Sequence, residues 1–217
     1  MKATTTLHYI YDPLCGWCYG AAPLVDVAQT VPDLSIALHA GGMLTGSNRR
    51  KIDAHWREHV VKSDTRIAAM TGQLFSDAYI NGLLLDTSAI MDSAPPTSAI
   101  LAAENLAGAG LAMLHRIQIA HYQHGLRVAD LSVLEKLAAD MALDVVAFSE
   151  EMKTVNNGAL QMHITQSRQL LARVNGSGFP TFVLEDRHGK YHVLQAGHYL
   201  GNVDPWKKTL QDFLTAK

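Results

Sequence analysis

The only two cysteines in this 217-residue chain, Cys15 and Cys18, are spaced C-x-x-C between a β-rich apolar run, Leu7-His8-Tyr9-Ile10-Tyr11, and small-residue helical sequence. Asp12-Pro13 ends the run, because the residue before a proline is pushed out of the helical region and proline breaks strand pairing. A thiol at such a junction falls on the first turn of a helix. There, unpaired backbone N–H groups and the helix dipole favour an anion. The thiolate is the reactive form, and a C-x-x-C pair at a helix start favours it. Cys18 lies one turn further on the same face, in a position to close a disulfide with Cys15. The stretch reads as a reversible two-electron switch.

The flanking sequence limits the fold that can present this switch. Residues 16–30 read as a helix with Leu24, Val25 and Val27 as apolar positions and Pro32 beyond its end. Residues 34–40 alternate and stop at Gly41-Gly42, as a second strand does. Strand, helix and strand so closely spaced predict a βαβ unit with parallel strands and a right-handed crossover. Residues 47–174 then read as almost all helix, with segments at 49–62, 63–71, 73–82, 97–109, 111–124, 132–141, 145–155 and 158–175. The apolar run 83–91 is ambiguous between helix and strand. Pro96 or Thr97 suits a first helical turn. Ser132-x-x-Glu135 suits a capping box, with Asp130 as the alternative cap, Asp144 caps the next helix, and Gly176 ends the last. Residues 179–185 and 190–196 form an antiparallel pair around the turn Asp186-Arg187-His188-Gly189, and a final helix spans 203–216 with Pro205 in its first turn. The expected fold is α/β. Residues 1–46 and 175–217 together make one domain, with residues 47–174 as an all-helical insertion.

Composition removes several classes of function. A net charge of −2 offers no basic stripe for nucleic acid. No apolar run approaches the roughly 18 residues of a membrane span. Two cysteines in a chain this long are not the framework of a small stapled secreted fold. Residues 1–7 lead into the first strand without a signal-type apolar core, and the expected location is the cytoplasm. The 11 histidines raise the question of a metal. His55-x-x-x-His59 and His121-x-x-His124 have helical spacing but lack both the metalloprotease glutamate and a clear third ligand. They read as solvated helix faces, and no metal is expected. Leu111, Met113, Leu114 and Ile117 read as core, and Arg49-Arg50-Lys51 as a short basic run at a helix start.

The run Asp12-Pro13-Leu14-Cys15-Gly16-Trp17-Cys18-Tyr19-Gly20, with Gly178-Phe179-Pro180-Thr181 far downstream, resembles the DsbA family and its FrnE-type branch. That architecture is a thioredoxin fold with a helical insertion, and the resemblance covers essentially the whole chain. It implies that Cys15 is the attacking thiol, Cys18 the resolving thiol, and Pro180 a cis-proline facing the disulfide. At a cis bond the Phe179 backbone could pair with an extended substrate strand. Trp17 then serves as a partly exposed platform for apolar substrate segments. Asp12 and Gly16 support the site, and Tyr19 is structural. Two departures stand out. Gly16-Trp17 puts no histidine between the thiols, which predicts a couple less oxidising than DsbA itself. Tyr9 stands where thioredoxin-like proteins often bury an acid, so a proton from Cys18 must go to Asp12, a water or another group.

The expected function is therefore a cytoplasmic thiol–disulfide oxidoreductase working as a reductase or isomerase on disulfide- or dithiol-containing proteins. Its reductant is unidentified, glutathione is a possible partner, and no bound cofactor is needed because the cysteines carry the electrons. Two alternatives stand beside it. One is a glutathione-handling enzyme similar to the kappa-class transferases or hydroxychromene-carboxylate isomerases; those usually carry serine at the Cys15 position and lack the second cysteine. The other is a holdase-like binding module built on the helical block and the Trp17 surface.

Overall fold

The computed structural model describes residues 5–215. The chain begins with β1 (Thr5–Tyr11), α1 (Gly16–Gly20), α2 (Ala22–Gln29) and β2 (Leu34–Ala40). It continues through β3 (Arg50–Lys51), α3 (Ala54–Thr71), β4 (Ile90–Met91), α4 (Ala94–Ala107) and α5 (Gly110–Tyr122). Then follow α6 (Leu131–Asp140), α7 (Val145–Thr154) and α8 (Leu160–Arg173), and the chain closes with β5 (Thr181–Glu185), β6 (Tyr191–Leu194) and α9 (Val203–Thr215). Four strands make one mixed sheet in the order β2-β1-β5-β6. β1 and β2 are parallel, while β5 is antiparallel to both β1 and β6. Strands from the two ends of the chain thus form a thioredoxin-like sheet, and most of the helices between them contribute to one apolar core that runs from Leu7 to Leu210. On one sheet face Tyr9 stacks on Phe182 at 4.7 Å, and Phe182 meets Trp206 of α9. The Trp206 indole N–H donates to the Leu24 carbonyl of α2 at 2.8 Å, which satisfies a polar group on a fully buried side chain.

Several element boundaries differ from the sequence expectation. The helix expected over residues 16–30 is two helices broken at Ala21. Pro23 lies in the first turn of α2, so it has no N–H to give and no room for the carbonyl one turn back. The expected break near residue 63 is absent. α3 starts later, at Ala54, where the Asp53 carboxylate accepts from Trp56 N–H at 2.7 Å, and it runs unbroken to Gly72 in the left-handed region. The basic run therefore does not open a helix. Arg50–Lys51 pairs with Ile90–Met91 in a small second sheet, which settles the ambiguous apolar run as a short 3-10 turn followed by a strand. Residues 73–76 are not helical, and the chain turns helical only from Asp77 into the wide π-type turn Ala78–Gly82. The Ser132-x-x-Glu135 capping box does not form, because α6 begins at Leu131 with Asp130, the alternative, at the N-cap position, and Glu135 accepts from Ser149 of α7. After α8 the left-handed residue is Asn175, not Gly176. The final helix is described to Thr215, and the expected end at Ala216 lies outside the described residues.

Candidate active site

β1 brings Asp12 to the end of the sheet, and a turn closed by Cys15 N–H on the Asp12 carbonyl, at 3.2 Å, leads into α1. Cys15 is the residue before α1, and its carbonyl accepts from Cys18 N–H and Tyr19 N–H at 2.9 and 3.0 Å. Both cysteines are free thiols. The Cys15 Sγ faces the Phe179 carbonyl at 3.6 Å, and the Phe179–Pro180 peptide is cis. Cys15 and the Gly178–Thr181 loop, remote in sequence, therefore share one site. The two thiols differ in environment. Cys15 retains 6% of its surface, whereas Cys18 retains none. Burial pushes the Cys18 thiol well above the ordinary thiol range, with the adjacent Cys15 adding to the effect and the Asp12 backbone N–H opposing it. Tyr9 is fully enclosed, its hydroxyl donating to the Cys18 carbonyl at 3.1 Å, and burial keeps it neutral.

The residues around the thiols explain two glycines. A methyl group on Gly41 would lie 2.1 Å from the Phe179 ring, so only glycine lets that ring settle against the end of β2. A methyl on Gly16 would lie 2.5 Å from Asp64 Oδ1 of α3. Trp17 is half-buried, with the Arg66 guanidinium 5.5 Å from its ring centroid. Tyr19 is buried and stacks on Tyr122 at 4.6 Å, and its hydroxyl donates to the Leu74 carbonyl and accepts from Gln123. Its contacts are those of packing.

Two buried carboxyl groups lie beside the C-x-x-C segment. Asp12 is fully enclosed, and its Oδ1 accepts from Leu14 N–H at 2.9 Å and from the Ser93 hydroxyl at 2.8 Å. Its Oδ2 accepts from Met43 N–H at 2.5 Å. Asp12 thus caps its own turn rather than the helix, and ties that turn to the loop after β2 and the start of α4. Burial raises its pKa, while the three donors and the nearby Arg168 charge oppose the rise. Asp64 is 4% exposed and accepts from a single donor, the Tyr79 hydroxyl at 3.0 Å. Burial pushes its pKa up to about 7, with the Tyr79 bond opposing. From α8, Arg168 donates through Nε and Nη2 to the Gly41 and Gly42 carbonyls at 2.7 and 2.6 Å. His163 of the same helix accepts from Ala40 N–H at 3.0 Å.

Asp64, Tyr79, Ser93 and Arg168 were not visible as site residues in the sequence. Only Asp64 left a trace, as a charged residue in the inward stripe Val60, Asp64, Ile67 and Thr71 of an amphipathic helix. The histidine pairs do not converge on a site. His55, His59 and His124 are exposed, but His121 is buried between Tyr79 and Tyr122, which corrects the reading of its helix face as solvated. Burial lowers its pKa to about 4 and keeps it neutral.

A strand–C-x-x-C–helix junction, a facing cis X–Pro loop and a helical block inside a mixed four-stranded sheet define a thioredoxin-fold redox class. Residues 6–205 match the model of the DSBA-like thioredoxin domain, and the chain belongs to that family. It is similar to DsbM, a cytosolic disulfide reductase from Pseudomonas aeruginosa, at 48% identity and a TM-score of 0.90, over 96% of this chain and 98% of that one. The structure of DsbM with GSH, the tripeptide glutathione, aligns at 47% identity and the same TM-score, over 97% of this chain and 100% of that one. A protein from Nitrosomonas europaea described as a disulfide isomerase shares the fold, with a TM-score of 0.79 at 22% identity, over 97% and 98% of the two chains. A comparison with curated proteins returned no match.

Proposed function

We propose that this protein is a cytosolic thiol–disulfide oxidoreductase that works in the reducing direction, with Cys15 as nucleophile and Cys18 as resolving thiol. The observation that carries the reading is the unequal pair itself. Cys15 keeps a small opening to solvent, 6% of its surface, against the Phe179 carbonyl, while Cys18 keeps none. Cys15 thiolate attacks one sulfur of a substrate disulfide, the substrate S–S bond breaks, and one substrate sulfur leaves as thiolate. Cys18 thiolate then attacks the Cys15 sulfur of the mixed disulfide and releases the second. The two thiol protons of the protein end on the two substrate thiols, and the protein is left as the disulfide. Reshuffling of substrate disulfides uses the same first step, so isomerase activity belongs to the same proposal. Trp17 and Phe179 offer half-buried apolar surface beside Cys15, and Pro180 shapes the loop that presents the Phe179 carbonyl.

Glutathione is the proposed reductant, supported by the similarity to DsbM, whose structure with GSH is known. Cytosolic operation is supported by the same relative. No described helix is long and apolar enough to cross a membrane. The test is glutathione-driven reduction of insulin by the parent protein and by Cys15→Ser and Cys18→Ser variants. Loss of turnover in Cys15→Ser, with a trapped mixed disulfide in Cys18→Ser, is the expected result. Full turnover by Cys15→Ser overturns the assignment.

A further inference from the structure

We propose that Arg168 and Arg66 receive the two carboxylates of glutathione while its sulfur is bonded to Cys15, an inference that rests on the glutathione reading above. Arg168 is held in place by the Gly41 and Gly42 carbonyls, which use two of its five N–H donors. The remaining donors and the whole positive charge have no carboxylate in ion-pair contact among the described residues. The carbonyls it grips belong to the segment whose Gly41 carries the Phe179 ring, and the Phe179 carbonyl faces Cys15 Sγ. Arg66 lies on Trp17, between the two cysteines in sequence, and it too forms no ion pair among the described residues. Arg49 and Arg127, by contrast, pair with Asp92 and Asp86. Two exposed arginines from two different helices, α3 and α8, are thus linked to the surroundings of Cys15, one through Trp17 and the other through the Gly41–Phe179 contact, and neither has a carboxylate in ion-pair contact among the described residues.

The ligand that answers this arrangement is a thiol with a carboxylate on each side of its sulfur. Glutathione is such a thiol, with the γ-glutamyl carboxylate at one end and the glycine carboxylate at the other. A guanidinium already oriented by backbone carbonyls loses little further freedom on meeting a carboxylate, and the resulting hydrogen bonds are charge-assisted. Specificity for the small reductant is then supplied by the helical insertion, while the sheet supplies the chemistry.

The experiment follows oxidation of the reduced protein, in which the dithiol and one glutathione disulfide become the protein disulfide and two glutathione molecules. Rates are compared for glutathione disulfide, its tetraethyl ester and the neutral hydroxyethyl disulfide. In the parent, esterification is expected to slow the reaction at least about tenfold, the effect of losing one charge-assisted hydrogen bond. In Arg168→Gln/Arg66→Gln the preference for glutathione disulfide over hydroxyethyl disulfide falls by a similar factor, and esterification then matters less than about threefold. Arg168→Lys retains part of the preference. Equal rates for the acid and the ester in the parent overturn the proposal without any variant needing to fold. So does a parent that reacts with hydroxyethyl disulfide but not with glutathione disulfide, in which case the thiol chemistry itself stands. A parent inert to both overturns the proposed function as well.

Discussion

Asp12 and Asp64 are the same side chain in nearly the same degree of burial, both beside the C-x-x-C segment. Asp12 belongs to the turn that ends β1 and is met by three donors from three segments of chain. Asp64 belongs to α3 and is met by one. The first is a fastener, whose loss strands backbone and hydroxyl donors. The second is a poised acid, because too few hydrogen bonds offset the cost of burying its charge. What a buried carboxyl does is decided by its partners, more than by its depth.

The largest effect that can break this comparison is expected from Asp12→Ala. Leaving Leu14 N–H, Met43 N–H and the Ser93 hydroxyl without an acceptor should cost about 3–5 kcal/mol of stability, read from urea unfolding. A cost under about 1 kcal/mol would make Asp12 no more of a fastener than Asp64.

A second test uses pH. Because the folded pKa of Asp64 is raised to about 7, the folded chain holds a proton there that the unfolded chain has already released above pH 4. Its contribution is therefore present at low pH and lost as pH rises towards 7, with a slope of up to about 1.4 kcal/mol per pH unit. Asp64→Asn should flatten the stability profile in that window and be roughly 2–4 kcal/mol more favourable relative to the parent at pH 8 than at pH 4.5. An unchanged profile would remove the poised acid from the comparison.

Gly16→Ala presses a methyl against Asp64 Oδ1 and, at 3.1 Å, against Ile67 Cδ1. It should cost about 1–3 kcal/mol despite the better helix propensity of alanine. In an Asp64→Ala background the cost should shrink, since the closer of the two contacts is gone; additivity of the two substitutions would show that they do not touch. The smallest effect is expected from Tyr79→Phe, at about 1 kcal/mol for one hydrogen bond. Its diagnostic consequence is a titration of Asp64 moved to higher pH, followed by carboxyl NMR, because the Tyr79 bond is what holds that pKa down.

The sheet was legible because its strands carry strong local signals. The C-x-x-C junction marked the start of α1, residues 34–40 were read to the residue, and Phe179-Pro180 announced the second half of the site. The helical block was legible as helix but not as a set of boundaries. Ser132 and Glu135 carry the letters of a capping box, yet the helix begins one residue earlier, after Asp130, and Glu135 meets Ser149 of α7. Pro23 is easily read as part of a helix when it is in fact a first-turn residue that divides one helix into two. The site residues supplied by that block were hidden for a further reason. Ser93 and Arg168 act only through segments far away in the chain, and nothing in their own neighbourhood records the partner.

The Asp12 fastening has a consequence for anyone who would shorten this protein. Rejoining the two ends of the chain and excising the helices would keep all four strands of the main sheet and both cysteines. It would also delete Ser93 from one corner of the Asp12 carboxylate, Asp64 from beside Gly16, and the Arg168 guanidinium from the Gly41 and Gly42 carbonyls. The trimmed molecule would carry a complete sheet around an undone active site. In this chain the inserted helices are part of the frame that holds the thiols, not cargo carried on it.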